Sequence, residues 1–129
     1  MSLFNKGDFS LHAGTKSNFF IDCDNLTEED WDALASIAVI NLPQFKEVKG
    51  IPRGGIPFAN ALEKYATGDS MDPVLIVDDV LTTGVSMTEV YTGVEIGVVA
   101  FARGICPFWV TPLFKMIDSL DGLEGIPIC

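Results

Sequence analysis

The segment VLIVDDVLTTGVSM, residues 74–87, constrains the chain more than any other stretch. Val74, Leu75, Ile76 and Val77 form an unbroken apolar run without polar alternation. Such a run marks a strand buried on both faces, as in a parallel sheet covered by helices. Two adjacent acids, Asp78 and Asp79, are expected to end that strand. A turn rich in hydroxyls, with one glycine, follows at residues 81–85, and a helix is expected from there to about Tyr91. Strand, tight turn and helix in direct succession form half of a βαβ unit.

The same alternation runs through the rest of the chain. Thr27 opens TEEDWDALASIAVI, where Asp30 three residues on completes a capping box and the acids suit a helix N-terminus. Trp31, Leu34, Ala35, Ala38 and Val39 recur at helical spacing, and Pro43 marks the exit. EVKGI at 47–51 reads as a short strand that runs into the glycine-rich turn PRGGIP, and FANALEKYA at 58–66 as the helix after it. Residues 98–102 read as a further buried strand, 107–112 as holding a short strand, and LFKMIDSL at 113–120 as a C-terminal helix. Near the N-terminus, FSL and FFI read as extended pieces around a turn at residues 14–18. Strands alternating with helices predict an α/β fold with a mainly parallel central sheet flanked by helices. The 129 residues fit one domain.

In such sheets ligands sit at the carboxyl ends of the strands, and both glycine-rich turns fall there. Backbone N–H groups in a turn that opens a helix suit a phosphate. Gly84 allows close approach, and Thr82, Thr83 and Ser86 add hydroxyls. Asp78 and Asp79 stand about one sugar's width away and suit ribose hydroxyls, directly or through water or a bridging Mg2+. The composite predicts a site for a sugar 5-phosphate with free vicinal hydroxyls.

Charge narrows the choice. Eight basic residues against 18 acidic ones leave a net charge of −10, which repels nucleic acid. The two arginines, Arg53 and Arg103, are therefore informative. Cys23, Cys106 and Cys129 are widely spaced without a CxxC pair, and His12 is the one histidine, so no structural zinc site is expected. Reduced, buried thiols and a cytoplasmic setting are the expectation, with no membrane span and no secretory leader.

Apolar strand, acid pair and T-T-G-x-S together resemble the PRPP-binding signature of the type I phosphoribosyltransferases, where PRPP is phosphoribosyl pyrophosphate. FSLHAGTKSNFFID at 9–22 resembles the N-terminal segment of the orotate branch of that family, which forms a hood over the base. GIPRGGIP resembles the family's pyrophosphate loop, and GVVAFARG the later strand whose terminal arginine meets the base. The resemblance implies a phosphoribosyltransferase-type domain with residues 1–26 as hood and 27–129 as core. It implies PRPP contacts from Arg53, Gly54, Gly55, Asp78, Asp79, Thr82, Thr83, Gly84, Val85 and Ser86. It places Phe19, Phe20 and Arg103 at the base, Mg2+ near Asp78 and Asp79, and a homodimer as the working unit. The implied reaction moves the phosphoribosyl group of PRPP to orotate or a similar base.

Each residue also has a plainer reading. Arg53 fits a surface turn as well as a phosphate contact, and Arg103 fits a strand end as well as a base contact. One of Phe19 and Phe20 would face a base and the other the packing. Lys16 reads as a surface charge or a phosphate contact. His12 is either incidental in its turn or a proton donor in catalysis. A receiver-like signalling domain also begins with paired acids after a strand, but needs an aspartate at a later strand end, and VVAFARG supplies none.

The chain departs from the family pattern in one respect above all. Family members carry a further strand and a long basic loop before the PRPP strand. Here ATGDSMDP alone stands there, and no Lys, Arg or His occurs between Lys64 and Arg103. His12 and Ala13 also replace a basic residue and a serine of the family's hood pattern. These departures bear on turnover more than on ligand binding. They keep a second reading in play, a relative that binds PRPP or a nucleotide without turning it over, as a sensor or partner subunit.

Overall fold

The computed structural model describes residues 4–10, 16–21 and 23–116. Strands β1 (Phe4–Ser10) and β2 (Lys16–Ile21) pair antiparallel as a separate two-stranded sheet. Two extended pieces are found as expected, but Lys16, Ser17 and Asn18, expected in the turn, belong to β2, where pairing with β1 extends the strand. A 3-10 turn at Cys23–Asn25 leads to helix α1 (Glu28–Asn41). The core sheet then follows: β3 (Glu47–Gly50), helix α2 (Ile56–Leu62), β4 (Val74–Leu81), the short helix α3 (Val85–Thr88), β5 (Ile96–Ala102) and β6 (Val110–Lys115). Its strand order is β3-β4-β5-β6, and every neighbouring pair is parallel. The α/β class and parallel sheet predicted from the sequence are thus observed.

Helix α1 starts where its cap demands. The Asp30 amide donates to Thr27 Oγ1 at 3.1 Å, and the Thr27 amide donates to Asp30 Oδ2 at 2.9 Å. Trp31, Ala35 and Ala38 then bury one stripe. Trp31 meets Phe58 of α2 with ring centroids 5.2 Å apart. Along β4 as far as Val77 and along β5 as far as Ala100 the side chains alternate between the two sheet faces with the period of two that a strand imposes, and Leu81 and Ala102 depart from that phase. Leu75, Val77, Val98 and Ala100 join the core under α1 and α2. Ile76, Leu81, Val99 and Ala102 join a second core with Met87, Cys106 and Val110. Gly97 admits the Trp109 ring, since a Cβ there would lie 2.8 Å from it, and Trp109 stacks on Tyr91 at 4.0 Å.

Several expectations need correction. Asp78 and Asp79 do not end β4. The strand continues to Leu81, because β5 goes on pairing with it through Leu81 and Ala102. Helix α3 is one turn, and the chain reaches Tyr91 in turns. The helix expected at 113–120 is not formed by its first residues: Leu113, Phe114 and Lys115 belong to β6. Strand pairing to β5 and the contact of Phe114 with Phe101, 5.6 Å between centroids, override the helical spacing there. Residues 117–120 lie outside the described residues. Cys23 is buried, as expected, whereas Cys106 is disulfide-bonded and not the reduced thiol expected. No helix among the described residues is long and apolar enough to cross a membrane.

Candidate functional site

The carboxyl ends of β3, β4 and β5 lie side by side, and three loops meet there. From β4, Asp78 and residues 80–87 line a cavity of about 340 Å3. Gly84 turns the chain with φ of +79°, a left-handed conformation that glycine adopts without strain. Its carbonyl accepts from the Thr88 hydroxyl at 2.7 Å and the Thr88 amide at 3.0 Å, which fixes the single turn of α3. The Val85 amide reaches Thr83 Oγ1 at 3.4 Å. Thr83, Val85 and Ser86 are exposed, and Thr82 is half-buried. The rim of the cavity thus carries hydroxyls and backbone amides, which suits an anion.

From β3, the turn 51–55 folds back onto β4. The Ile51 amide donates to the Val77 carbonyl at 2.8 Å. A Cβ on Gly55 would lie 2.5 Å from the Val77 oxygen and 3.0 Å from Asp78 Cα. A Cβ on Gly54 would run into the carboxyl group of Asp79, 2.8 Å from its Cγ. The paired glycines are therefore required by space, because they bring the turn against both acids. Arg53 stands exposed on this turn, after a cis Pro52–Arg53 peptide.

The acid pair is electrostatically uneven. Burial pushes the Asp78 carboxyl up to about 8, helped by a side-chain hydrogen bond to Asp79 and by its charge. The Asp79 amide donates to Asp78 Oδ1 at 2.8 Å, which works the other way. A protonated carboxyl both donates and accepts, so at neutral pH Asp78 can offer a hydroxyl either kind of bond. The donor set is two carboxylates, and among the described residues no group of three or more His, Cys, Asp or Glu is placed to hold a metal. That set fits an ion already ligated by a substrate better than an ion caged by protein alone.

From β5, the Arg103 amide donates to the Leu81 carbonyl at 2.8 Å, which sets Arg103 beside the β4 turn. Asp78, Thr82, Thr83, Gly84, Val85 and Ser86 are thus brought into one cavity. Asp79, Gly54 and Gly55 adjoin it, and Arg53 and Arg103 stand on the flanking loops. Phe19 and Phe20 lie on β2, in register with Lys6 and Asn5, and Lys16 opens that strand. His12 lies outside the described residues. Sequence reasoning passed over Gly104 and Pro107, which pack on the phosphate-type turn: a Cβ on Gly104 would meet the Thr82 carbonyl oxygen, and the Pro107 ring lies 3.8 Å from a Cβ built on Gly84. The glycine directly after Arg103 was the available signal.

The parallel sheet flanked by helices is an α/β fold of the phosphoribosyltransferase type. The chain superimposes on a UMP synthase from Leishmania donovani with a TM-score of 0.70 at 19% identity, covering 88% of this chain and 34% of that one. It therefore spans about a third of that longer protein. It superimposes on orotate phosphoribosyltransferase from Aeropyrum pernix with a TM-score of 0.67 at 21% identity, covering 88% of both chains. In sequence it is similar to the orotate phosphoribosyltransferase of Pyrobaculum aerophilum, 29% identical over 160 residues, with 92% of this chain and 83% of that protein covered. The matched span exceeds the chain's own 129 residues, so that relative holds residues this chain lacks. No family model matches. The resemblance to the orotate branch of the type I phosphoribosyltransferases drawn from the sequence is thus matched by both the relative and the fold.

Proposed function

We propose that the chain binds PRPP together with Mg2+ and transfers its phosphoribosyl group to orotate or a similar pyrimidine base. The observation that carries this reading is the single cavity holding Asp78 with Thr82, Thr83, Gly84, Val85 and Ser86, beside an acid pair on which the Gly54–Gly55 turn packs. Residues 82–86 hold the 5-phosphate. Asp78 and Asp79 hold the ribose 2- and 3-hydroxyls, and Arg53 meets the diphosphate. Arg103, with Phe19 and Phe20, sets base preference, and His12 is the candidate proton donor. A ring nitrogen of the base bonds to C1 of the ribose as the C1–oxygen bond to pyrophosphate breaks. Mg2+ enters with the pyrophosphate as part of the substrate and neutralises its charge, touched by the acid pair through ribose hydroxyls or water. The protein's contribution is positioning and charge stabilisation around a cationic ribose.

A second reading has its own support. Only residues 66–73 join the turn after α2 to β4, and the sequence offers no basic residue between Lys64 and Arg103 to meet the departing diphosphate. On that reading the chain binds PRPP or a nucleotide as a sensor or partner subunit. Incubation with PRPP, Mg2+ and orotate, followed by chromatography for orotidine 5'-monophosphate and pyrophosphate, separates the two. Product above the uncatalysed level supports transfer. Binding without product supports the sensor. The homodimer implied by the resemblance is read by light scattering on the same sample.

A further inference from the structure

The crossover from β5 to β6 is unusually short for two parallel strands, which ordinarily need a connection of about a dozen residues or more. Residues 103–109 must return the chain from beside Ala102 to Val110, whose partner is Gly97 at the other end of β5. That distance along the strand is about 17 Å. A helix of this length would cover only about 10 Å, and a fully extended chain reaches no more than about 25 Å. The crossover therefore holds no full helix: it bends at Arg103 and Gly104 and closes in a turn in which the Val110 amide donates to the Pro107 carbonyl at 3.0 Å. It is pinned at both ends: the Arg103 amide donates to the Leu81 carbonyl at 2.8 Å, and the Gly97 amide donates to the Trp109 carbonyl at 2.8 Å.

Between these pins it presses on the turn that lines the cavity. Gly104 lies against the carbonyl of Thr82 so closely that a Cβ would collide with that oxygen. Its φ is outside the left-handed region, so contact and not backbone conformation requires the glycine. Farther along, the Pro107 ring packs at Gly84. Resting on the phosphoribosyl reading above, we propose that Gly104 is a positioning residue. It touches no ligand, but its close contact with the Thr82 carbonyl holds the Thr82–Ser86 turn in register with Arg103, so that the phosphate end and the base end of the site are set by one short segment.

The test is calorimetric titration of the folded chain with ribose 5-phosphate, a ligand without base or diphosphate, for wild type, Gly104→Ala and Ile105→Ala. Displacing a carbonyl in the turn mis-sets one or two hydrogen bonds to an ionised phosphate, so Gly104→Ala weakens binding about tenfold. Ile105→Ala, a change of an exposed neighbour, leaves it unchanged. Calorimetry also separates mechanisms: loss of folded protein lowers the stoichiometry, whereas a mis-set turn raises Kd. Unchanged Kd in folded Gly104→Ala overturns the proposal. If that variant does not fold, Pro107→Ala decides, because Pro107 is the crossover residue beside Gly84, 3.8 Å from a Cβ built there, and its truncation adds no clash. A weaker Kd there upholds the proposal and an unchanged Kd overturns it. Failure of the wild type to bind ribose 5-phosphate or PRPP overturns the phosphoribosyl reading itself, and the positioning role with it.

Discussion

The carboxyl group of Asp79 rests on the α-carbon of Gly54. A methyl group there would stand 2.8 Å from Asp79 Cγ. This contact joins the loop that carries Arg53 to the strand that carries the acid pair, although the two are separated by α2 and the loop before β4. The turn that carries Arg53 is thereby packed against the acid pair, of which Asp78 lines the cavity.

Gly54→Ala forces these groups apart. Overpacking against the Asp79 carboxyl group costs about 1–3 kcal/mol. The expected result is a lower urea midpoint together with weaker binding of PRPP and Mg2+. In Gly54→Ala/Asp79→Ala the clash is gone, so stability recovers while binding does not. Additive losses of stability in the double variant would contradict the contact.

The raised Asp78 carboxyl makes a pH prediction with a definite sign. The folded chain keeps this proton up to about pH 8, whereas the unfolded chain releases it near the ordinary 3.8. Between those values the unfolded state binds fewer protons, so this group's contribution to stability is full at the acid end and is lost as pH rises towards 8. Asn does not titrate. The melting temperature of Asp78→Asn relative to wild type therefore climbs between pH 5 and pH 8. Parallel pH profiles for the two proteins would place Asp78 at an ordinary carboxyl value.

Gly84 is predicted to be intolerant for a different reason. Its φ of +79° puts an L side chain in the left-handed region, at a cost of about 1–2 kcal/mol. Gly84→Ala is expected to lower stability by that order in urea unfolding, and Gly84→Asn by less, since Asn visits this region more readily. Equal losses for both variants would point to crowding at Pro107 instead.

The cap of α1 supplies a control that separates stability from binding. Thr27→Ala removes the acceptor for the Asp30 amide and costs about 1 kcal/mol. The cavity lies at the carboxyl edge of the sheet, and Thr27 is not among its lining residues. Ligand affinity is therefore expected to stay at the wild-type value in calorimetry while the melting temperature falls.

These particulars show where the sequence was legible. Val74 to Val77 announced a buried strand because no polar residue interrupts it, and Thr27 with Asp30 announced the start of α1 because a capping box is local chemistry. The turn at Thr82–Ser86 was readable for the same reason. What failed was non-local. β4 runs past the acids because β5 lies beside it, and residues 113–115 form a strand because β5 offers an edge. The contacts of Gly54 with Asp79 and of Gly104 with Thr82 join segments far apart in the chain, and no spacing rule reports them. The bonding of Cys106 likewise depends on geometry that cysteine spacing does not encode.

The most direct test of the account is calorimetric titration of the wild type and of Asp78→Asn/Asp79→Asn with PRPP and Mg2+. The account predicts saturable, one-site binding by the wild type and its loss in a double variant that still folds. Binding that survives loss of both acids, or a folded wild type that binds neither PRPP nor ribose 5-phosphate, would contradict it.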